Sequence, residues 1–304
     1  MTSHKVLLSI LFLIPALSFA QAEQQFNGVH MKESLATVQS KLKDIVATSK
    51  VITVNNTVFP LAKDKEQHLI CSELKTESGT IGKAVFTFAD DRLTNIEARG
   101  NVEQSLTAKL TDTAFTYMDY TVYQKQMLLV DPKKDIAWIM SDEAMFSHLF
   151  TIENPYLEKE APEALPNTGL VPAFLQMGAS FDELEGLFEA NSSFTFKEAL
   201  DGSDPNAQYQ INCFGVNYLG FPRKVEARFG DDKLNVVWIL LGKPEEDRVR
   251  QALVKQYGPP IFTDEVWEVF NNWQVALRKD KPEVLLMEQE IGLGYKKSYF
   301  KQED

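Results

Sequence analysis

The chain has 304 residues, of which 44% are hydrophobic, with 31 basic and 43 acidic side chains and two cysteines. This composition excludes a disordered chain, a collagen-like chain and a disulfide-dense mini-protein. The formal net charge of −12 argues against a nucleic-acid partner and against adhesion to an anionic membrane, since both depend on Lys and Arg contacts to phosphate. An acidic globular protein of one or two domains remains.

The first twenty residues have the features of a cleavable signal peptide. A weakly basic start precedes a mostly apolar stretch over residues 6–19, and Ser18 and Ala20 supply the small residues of a signal-peptidase site. The apolar stretch is shorter than the ~20 residues of a membrane-spanning helix, although an uncleaved anchor is the alternative. We predict cleavage after Ala20, a periplasmic or extracellular location, and no membrane insertion after cleavage.

The rest of the chain contains two related segments in tandem. Residues 85–96 match residues 226–237 at an offset of 141, and Cys71 matches Cys213 at an offset of 142. The order of the predicted elements is also the same in both segments, which supports the repeat more than the identities do. We therefore predict two homologous repeats, and two unrelated α+β domains are the alternative.

Each repeat is predicted to open with a short amphipathic helix, which in the second repeat begins at Ser180 with a capping box to Glu183. Strands follow, then a hairpin, then a second helix, which is clearest from Pro244 to Tyr257. The predicted fold class is α+β, with two tandem homologous repeats that each pack helices on one face of an antiparallel sheet.

Each repeat is predicted to close with a β-hairpin. In the first repeat the two strands are residues 117–130 and 136–140, and in the second they are residues 266–277 and 284–290. Gly292-Leu293-Gly294 would then lie at the end of the last strand with no helix after it, so it is not expected to bind a phosphate.

A proline-rich segment separates the two repeats. Four prolines fall between residues 155 and 172 among Glu and Lys, which is typical of a semi-rigid surface linker. The predicted organisation is a signal peptide at residues 1–20, a first repeat at 26–152, a linker at 153–169 and a second repeat at 170–304.

Two short motifs resemble those of a superfamily of secreted bacterial proteins. Residues 178–184, Gly-Ala-Ser-Phe-Asp-Glu-Leu, resemble its G-x-S-x-x-E-hydrophobic helix start, and residues 229–234, Phe-Gly-Asp-Asp-Lys-Leu, resemble its F-x-D/N-G-K-L hairpin. Both motifs occur in the β-lactamase-inhibitor-protein-like and SmpA/OmlA-like tandem α/β repeats. The resemblance implies helices on one face of an antiparallel sheet and a binding role, and it supplies no catalytic residue.

The chain departs from that family pattern in two ways. Arg92 and Lys233 stand where the family usually has a glycine after the turn aspartate, and each repeat has a single cysteine instead of an intra-repeat disulfide. Cys71 and Cys213 lie in apolar strand contexts, and the predicted compartment permits a disulfide between them. Two separate buried thiols are the alternative.

The sequence contains no familiar catalytic or metal-binding motif, and we predict no catalytic residue, no metal site and no cofactor. None of His30, His68 and His148 stands three to five residues from another His or from a Cys. An enzyme remains the alternative. It would require a cleft that brings one of these histidines next to an Asp or Glu and that holds titratable groups with shifted pKa values.

Two acidic or triad-like patterns are assigned structural roles. Ser147-His148 after Asp142-Glu143 contains the residue types of a hydrolase triad, but a short helix capped at Ser141 is the favoured interpretation. Calcium binding is the alternative for Asp90-Asp91 and Asp231-Asp232, and their repetition at hairpin tips favours a turn instead.

Strand alternation suggests a candidate binding surface made of Tyr117, Tyr123, Phe270 and Asn272. The leading hypothesis is a periplasmic or secreted non-enzymatic protein that binds a protein or an envelope component through open sheet faces. The alternative is an inhibitor, immunity protein or chaperone for a secreted toxin or hydrolase. Its acidic charge would then face a basic protein partner.

Overall fold

The computed structural model describes residues 25–159 and 161–300, so the predicted signal peptide lies outside the described residues. Within them, two eight-stranded antiparallel sheets follow one another along the chain, and the strands connect in the same order in both. The fold class is therefore α+β with two tandem repeats, as the sequence predicts.

The first sheet contains strands from residues 48 to 140. Its helices and strands are α1 (Leu35–Leu42), β1 (Thr48–Val54), β2 (Glu66–Lys75), β3 (Thr80–Ala89), β4 (Arg92–Arg99), α2 (Val102–Thr107), β5 (Phe115–Tyr117), β6 (Tyr120–Tyr123), β7 (Leu128–Asp131), β8 (Ile136–Met140), α3 (Asp142–Phe146) and α4 (Pro155–Glu158). The strand order is β1-β2-β3-β4-β8-β7-β6-β5, so two four-stranded meanders join where β4 pairs with β8.

The second sheet repeats this topology from residue 194 to residue 287. Its elements are α5 (Phe181–Asn191), β9 (Phe194–Ala199), β10 (Tyr209–Tyr218), β11 (Phe221–Gly230), β12 (Lys233–Leu240), α6 (Glu246–Tyr257), β13 (Phe262–Thr263), β14 (Trp267–Phe270), β15 (Val275–Arg278), β16 (Glu283–Met287) and α7 (Gln289–Ser298). The strand order is β9-β10-β11-β12-β16-β15-β14-β13, with β12 paired to β16.

One face of each sheet packs against the two helices that the sequence predicts. In the second repeat, Leu184 and Phe188 of α5 and Val249 and Leu253 of α6 are fully or almost fully buried in one core. These pairs are four residues apart, which places them one turn above each other on a helix face. The predicted capping box at the start of α5 is present and involves Ser180.

The other face of each sheet is also covered, although the sequence predicts helices on one face only. In β8, Ala137 and Ile139 point to the helical core, whereas Trp138 and Met140 point to a second cluster that includes Ala144 of α3. In the second repeat, α7 covers the corresponding face. The sheets therefore present smaller open faces than expected.

Helix α7 replaces the predicted end of the last strand. Strand β16 ends at Met287, and the side chain of Glu288 accepts hydrogen bonds from the backbone N–H groups of Glu290 and Ile291, which caps a helix. The glycine pair 292 and 294 thus lies inside a helix instead of at a strand end. A Cβ added at Gly292 would lie 2.2 Å from the carbonyl oxygen of Trp273, so the glycine allows this helix to approach the sheet closely.

Where the sequence predicts a two-stranded closing hairpin, each repeat instead has four short strands, β5–β8 in the first and β13–β16 in the second. Residues 117–130 are interrupted at Met118 (φ 52°) and Met127 (φ 48°), and residues 266–277 are interrupted by positive φ angles at residues 271–273. The predicted alternation of faces assumed continuous strands, so the turns invalidate it.

Cys71 and Cys213 are free thiols, so of the two alternatives that the sequence leaves open, the structure has two separate buried thiols and no disulfide between them. Cys71 lies on β2 and Cys213 lies on β10, and each is completely buried in the core of its own repeat. Equivalent positions in two separate cores do not approach each other, so each thiol acts as a small apolar side chain.

The proline-rich segment is not extended along its whole length. Residues 155–158 form the short helix α4, whose Leu157 packs on Ile70 and Val85 of the first sheet. Lys83 Nζ also donates to the carbonyl oxygen of Leu157 at 2.7 Å. The first part of the predicted linker is therefore held against the first repeat. Across residues 25–159 and 161–300, no helix has both the length and the apolar character needed to cross a bilayer.

Candidate functional site

A cavity of about 520 Å³ lies where the first repeat, the proline-rich segment and the second repeat meet. Its walls are mostly apolar. They come from the first repeat (Val54, Val58, Phe59, Leu149, Ile152), from the proline-rich segment (Pro155, Pro162, Leu165) and from the turn between β10 and β11 (Gly220, Phe221, Pro222). Its size and apolar lining are typical of sites for small ligands.

The floor of the cavity is polar and is formed by two strands of the first sheet. Glu66 and His68 lie two residues apart on β2, and Asn95 and Glu97 lie two residues apart on β4. Residues with this spacing point to the same face of a strand. All four are less than one-tenth exposed, so the floor is a buried polar cluster facing an otherwise apolar cavity.

A continuous series of hydrogen bonds runs through this floor. His68 Nε2 lies 2.9 Å from Glu66 Oε1, and His68 Nδ1 lies 3.0 Å from the Thr87 hydroxyl. Asn154 Nδ2 donates to the same hydroxyl at 3.2 Å, and Asn154 N–H donates to Glu97 Oε2 at 2.7 Å. The series fixes the side chains of β2 and β4 relative to the segment that follows β8.

The wall formed by residues 58–62 is held from both repeats. Glu66 Oε2 accepts the backbone N–H groups of Val58 and Phe59 at 3.2 and 3.1 Å. From α6 of the second repeat, the Arg248 guanidinium donates to the carbonyl oxygens of Val58, Phe59 and Ala62 at 3.1, 2.8 and 2.7 Å. The shape of the cavity therefore depends on contacts between the two repeats.

Arg248 is itself held by a buried carboxylate. Glu245 is completely buried, and its Oε2 accepts from Arg248 at 3.0 Å and from Arg223 at 2.6 Å. The close approach of the repeats also requires Gly242, where an added Cβ would lie 2.1 Å from the carbonyl oxygen of Pro60.

Two oxygen atoms of the floor have no hydrogen-bond partner among the described residues. They are Asn95 Oδ1 and Glu97 Oε1. Burial raises the pKa of Glu97 to about 8, and the N–H of Asn154 and the nearby indole N–H of Trp138 offset part of that rise. The indole N–H donates to the carbonyl oxygen of Ile152 at 3.3 Å. Unpaired buried polar atoms are costly. Other described residues also have such atoms, but among them only Asn95 and Glu97 line this cavity, so this pair marks the floor as a place where a ligand group can be received.

The floor contains the residue types of an acyl-transfer site, since a hydroxyl, an imidazole and a carboxylate are joined in order through Thr87, His68 and Glu66. The cleft thus brings a histidine next to an acidic residue, as the enzyme alternative requires. However, Thr87 is only 1% exposed, and its hydroxyl also receives the Asn154 amide. A nucleophile must reach its substrate, so this geometry is better suited to fixing the floor than to attack.

The predicted binding surface is not one surface. Phe270 is completely buried in the core of the second repeat, and Asn272 is an exposed turn residue with φ 48°. Tyr117 is 42% exposed and contacts Phe150 on one face of the first sheet, whereas Tyr123 packs against the core on the other face. The interrupted strands explain why these four residues do not come together.

The triad-like pattern around Ser147 and His148 has the structural role that the sequence predicts. Ser141 Oγ accepts the backbone N–H of Ala144 and caps α3, and His148 packs against Phe150 and Phe214. Burial and the charge of Lys224 lower the pKa of His148 to about 4. These residues form no triad.

The Asp pairs form the hairpin turns. Asp90, Asp91, Asp231 and Asp232 all have φ between 49° and 62°, which is the conformation of tight hairpin turns and one that Asp tolerates. Asp90 also accepts backbone N–H groups from Lys63, Asp64 and Lys65. Among the residues that the structure describes, no group of three or more His, Cys, Asp or Glu side chains is arranged to hold a metal ion.

No family model, no curated protein and no solved structure matches this chain. The resemblance to the tandem repeats of secreted bacterial proteins therefore stays a prediction.

Of the four floor residues, the sequence points only to His68, as one of the histidines on which the enzyme alternative depends, and it does not point to Glu66, Asn95 or Glu97. A signal for two of them was nevertheless present in the repeat itself. At the offset of 141, Asn95 and Glu97 correspond to Val236 and Trp238 of the second repeat. Polar residues stand in the first copy where the second copy has apolar ones, at inward-facing positions of the same strand.

Proposed function

We propose that this protein is a non-enzymatic binding protein of the periplasm or the extracellular space, and that it holds a small ligand in the cavity between its repeats. The observation that carries the proposal is the unpaired oxygen atoms of Asn95 and Glu97 on the floor of a largely apolar cavity of about 520 Å³. Cavities of this size with a few convergent polar groups are typical ligand sites.

The rigidity of the site also supports binding. The hydrogen bonds among Glu66, His68, Thr87 and Asn154 hold the floor in place before any ligand arrives, and a preformed site loses less conformational entropy on binding. The inhibitor, immunity-protein and chaperone alternatives rest on the acidic charge and the resemblance alone, because the predicted binding surface is not contiguous.

The test fills the cavity and measures binding of a neutral fluorophore, phenylnaphthylamine, whose emission rises in apolar surroundings. Val58 lines the cavity and is partly exposed, so Val58→Trp should fill the cavity with little damage to the core. We expect the wild type to bind the fluorophore and Val58→Trp to bind it about tenfold or more weakly, since an occupied cavity loses its apolar contact area.

The matched control is Val171→Trp. Val171 is 39% exposed and does not line the cavity, so the same change in side chain should leave binding unaffected. Equal binding by the wild type and both variants, or no binding by the wild type, would show that the cavity is not a ligand site.

A hydrolase is the second candidate, favoured by the hydrogen-bonded order of Thr87, His68 and Glu66. Its test is hydrolysis of an activated ester by the wild type and by Thr87→Val, which removes the hydroxyl and keeps the shape. Saturable hydrolysis that disappears in Thr87→Val would favour the enzyme. Background rates that are equal in both proteins would favour binding alone.

A further inference from the structure

We propose that the ligand of this cavity has an ammonium or amidinium head, which Asn95 and Glu97 bind, and an apolar body that lies against the aromatic wall. The inference rests on the proposed function, because it names the class of ligand for the same cavity. Three independent observations support it: the free hydrogen-bonding capacity of the floor, the charge of the lining and the difference between the two repeats.

The floor offers acceptors to a ligand. Both ring nitrogens of His68 are already in use, since Nε2 lies 2.9 Å from Glu66 Oε1 and Nδ1 lies 3.0 Å from the Thr87 hydroxyl. Asn154 uses its side-chain N–H on Thr87 and its backbone N–H on Glu97 Oε2. The atoms left over are Asn95 Oδ1 and Glu97 Oε1, so a group that binds both while Glu97 gives up its proton must bring at least two donors.

The charge of the lining favours a cation. Four acidic side chains line the cavity, from Glu66, Glu97, Glu153 and Glu163, and no lysine or arginine is among the lining residues in the described part of the chain. Glu97 holds a proton until a cation displaces it, and Glu153 is paired with Arg99 and Lys134 outside the cavity lining. A cleft lined by one sign of charge with apolar walls concentrates ligands of the opposite sign. An ammonium head with three N–H groups meets both requirements, and an amidinium head meets them in a planar arrangement.

The second repeat shows that the fold does not need these polar residues. Val236 and Trp238 take the positions of Asn95 and Glu97, and both pack in an apolar cluster under α7. A buried carboxyl that is not required by the architecture and that costs stability is best explained by a ligand that binds it.

The walls specify the rest of the ligand. The rings of Phe59 and Phe221 meet edge to face with centroids 5.7 Å apart, and Leu149, Ile152 and Leu165 add aliphatic surface. These residues leave an apolar volume above the floor, which fits an alkyl or aryl body attached to the head. Strongly polar ligands, such as free sugars or nucleotides, would leave their own polar groups unpaired against this wall.

The experiment uses three probes of equal length that differ only in the head: hexylamine, hexanol and hexanoate. Binding to the full chain is measured at neutral pH by isothermal titration calorimetry. We expect hexylamine to bind about tenfold or more tightly than hexanol, because charge-assisted hydrogen bonds are the stronger ones. Hexanoate should bind most weakly, because its charge is repelled by the lining carboxylates.

The variants separate the head group from the cavity. Glu97→Gln keeps the shape and removes the charge, and it should reduce hexylamine affinity about tenfold or more while leaving hexanol affinity unchanged. Asn95→Val, which introduces the residue of the second repeat, is a second variant with the same expected direction. Glu268→Gln is the matched control, since Glu268 is a buried carboxylate of β14 that lies outside the cavity lining.

Proton release gives a readout that needs no variant. Burial raises the pKa of Glu97 to about 8, so this carboxyl is mostly protonated at neutral pH. Arg99 and Glu153 are the charged neighbours that also act on it. Binding of an ammonium group should displace that proton, so hexylamine binding at neutral pH should release protons to the buffer and hexanol binding should not.

The outcomes distinguish this inference from the proposed function. Equal binding of hexylamine and hexanol, or hexylamine binding that Glu97→Gln leaves unchanged, would overturn the ligand class and leave the binding function in place. Failure of all three probes together with failure of the neutral fluorophore would overturn both. Tightest binding of hexanoate would show that the lining does not select cations.

Discussion

Burial disfavours the charged form of every ionisable side chain, so it raises the pKa of buried acids and thiols and lowers the pKa of buried bases. It raises the pKa of the Cys71 and Cys213 thiols to about 12 and that of the Glu97 carboxyl to about 8, and it lowers the pKa of His148 to about 4. The thiols and the histidine pack among apolar groups. Glu97 differs because one of its oxygens is unpaired at a cavity.

The two thiols should be inert in the folded protein. Their burial and raised pKa values leave almost no thiolate to react with Ellman's reagent. We expect no reaction in native conditions and two reactive thiols per chain after unfolding in denaturant without a reducing agent. Zero thiols in the unfolded chain would show that Cys71 and Cys213 are bonded after all.

Glu97 should make the folded protein less stable as the pH rises. Its pKa is about 8 in the folded protein against 4.5 in an unperturbed chain, so between these values the folded state holds a proton that the unfolded state has released. The free energy of unfolding should therefore fall by ~1.4 kcal/mol per pH unit through this window. The stabilisation that the protonated Glu97 contributes is fully present below about pH 4.5 and is lost above about pH 8.

The matched comparison for this prediction is Glu97→Gln, studied by urea unfolding across the same pH range. Other titrating groups affect both proteins alike, so the difference between the two curves isolates Glu97. The variant should match the wild type near the acidic end and exceed its stability at the alkaline end. Parallel curves would mean that Glu97 is not desolvated.

At the scale of elements, the last helix shows how one glycine decides a packing arrangement. Gly292 and Gly294 lie in the same turn of α7, but only Gly292 faces the sheet, where an added Cβ would meet the Trp273 carbonyl oxygen at 2.2 Å. Nothing lies within 4 Å of a Cβ added at Gly294.

The two glycines should therefore respond in opposite ways to alanine. Gly292→Ala should lower the free energy of unfolding by ~2–4 kcal/mol, because helix α7 must move away from a backbone group that cannot yield. Gly294→Ala should raise it by up to ~1 kcal/mol through helix propensity alone. Thermal or urea unfolding of both variants measures the difference, and equal effects would contradict the close approach of α7.

Elements with local stop and start signals were predictable, and elements defined by turns inside strands were not. The capping box at Ser180 and the acidic first turn of α6 are local signals, and both helices form where the sequence places them. The breaks at Met118 and at residues 271–273 have left-handed backbone angles at residues such as Met and Trp. Met and Trp rarely adopt such angles, so nothing local predicts the break at Met118. Asn271-Asn272 is a turn signal, but the apolar alternation on either side of it favours a continuous strand.

For the whole molecule, the junction between the repeats is the feature that creates the cavity. The Arg248 guanidinium from the second repeat binds three carbonyl oxygens of residues 58–62, and Lys63 pairs with Asp247 at 2.9 Å nearby. The Arg248 contact consists of several partly buried hydrogen bonds, whereas the Lys63–Asp247 contact is a single ion pair between exposed side chains.

Only the first of these contacts should matter for stability. Arg248→Ala should cost ~2–4 kcal/mol, because it leaves three carbonyl groups and part of Glu245 without a donor. Lys63→Ala should leave the free energy of unfolding almost unchanged, since exposed ion pairs contribute little. Urea unfolding followed by two probes should also lose its single transition in Arg248→Ala if the repeats uncouple. Equal losses in both variants would contradict the role of Arg248.

The sequence by itself determined the tandem α+β architecture, because hydrophobic periodicity, helix caps and Asp-Asp turns are local properties that recur in both halves. The sequence also has polar residues at Asn95 and Glu97 where the second repeat has the apolar Val236 and Trp238, a difference that indicates a site in the first repeat. Only the tertiary structure decided where the chemistry lies: Glu97 meets Asn154 across 57 residues of chain, and Arg248 reaches residues 58–62 from the other repeat. Contacts at such separations depend on sheet pairing and on the packing of the repeats, which no local pattern encodes.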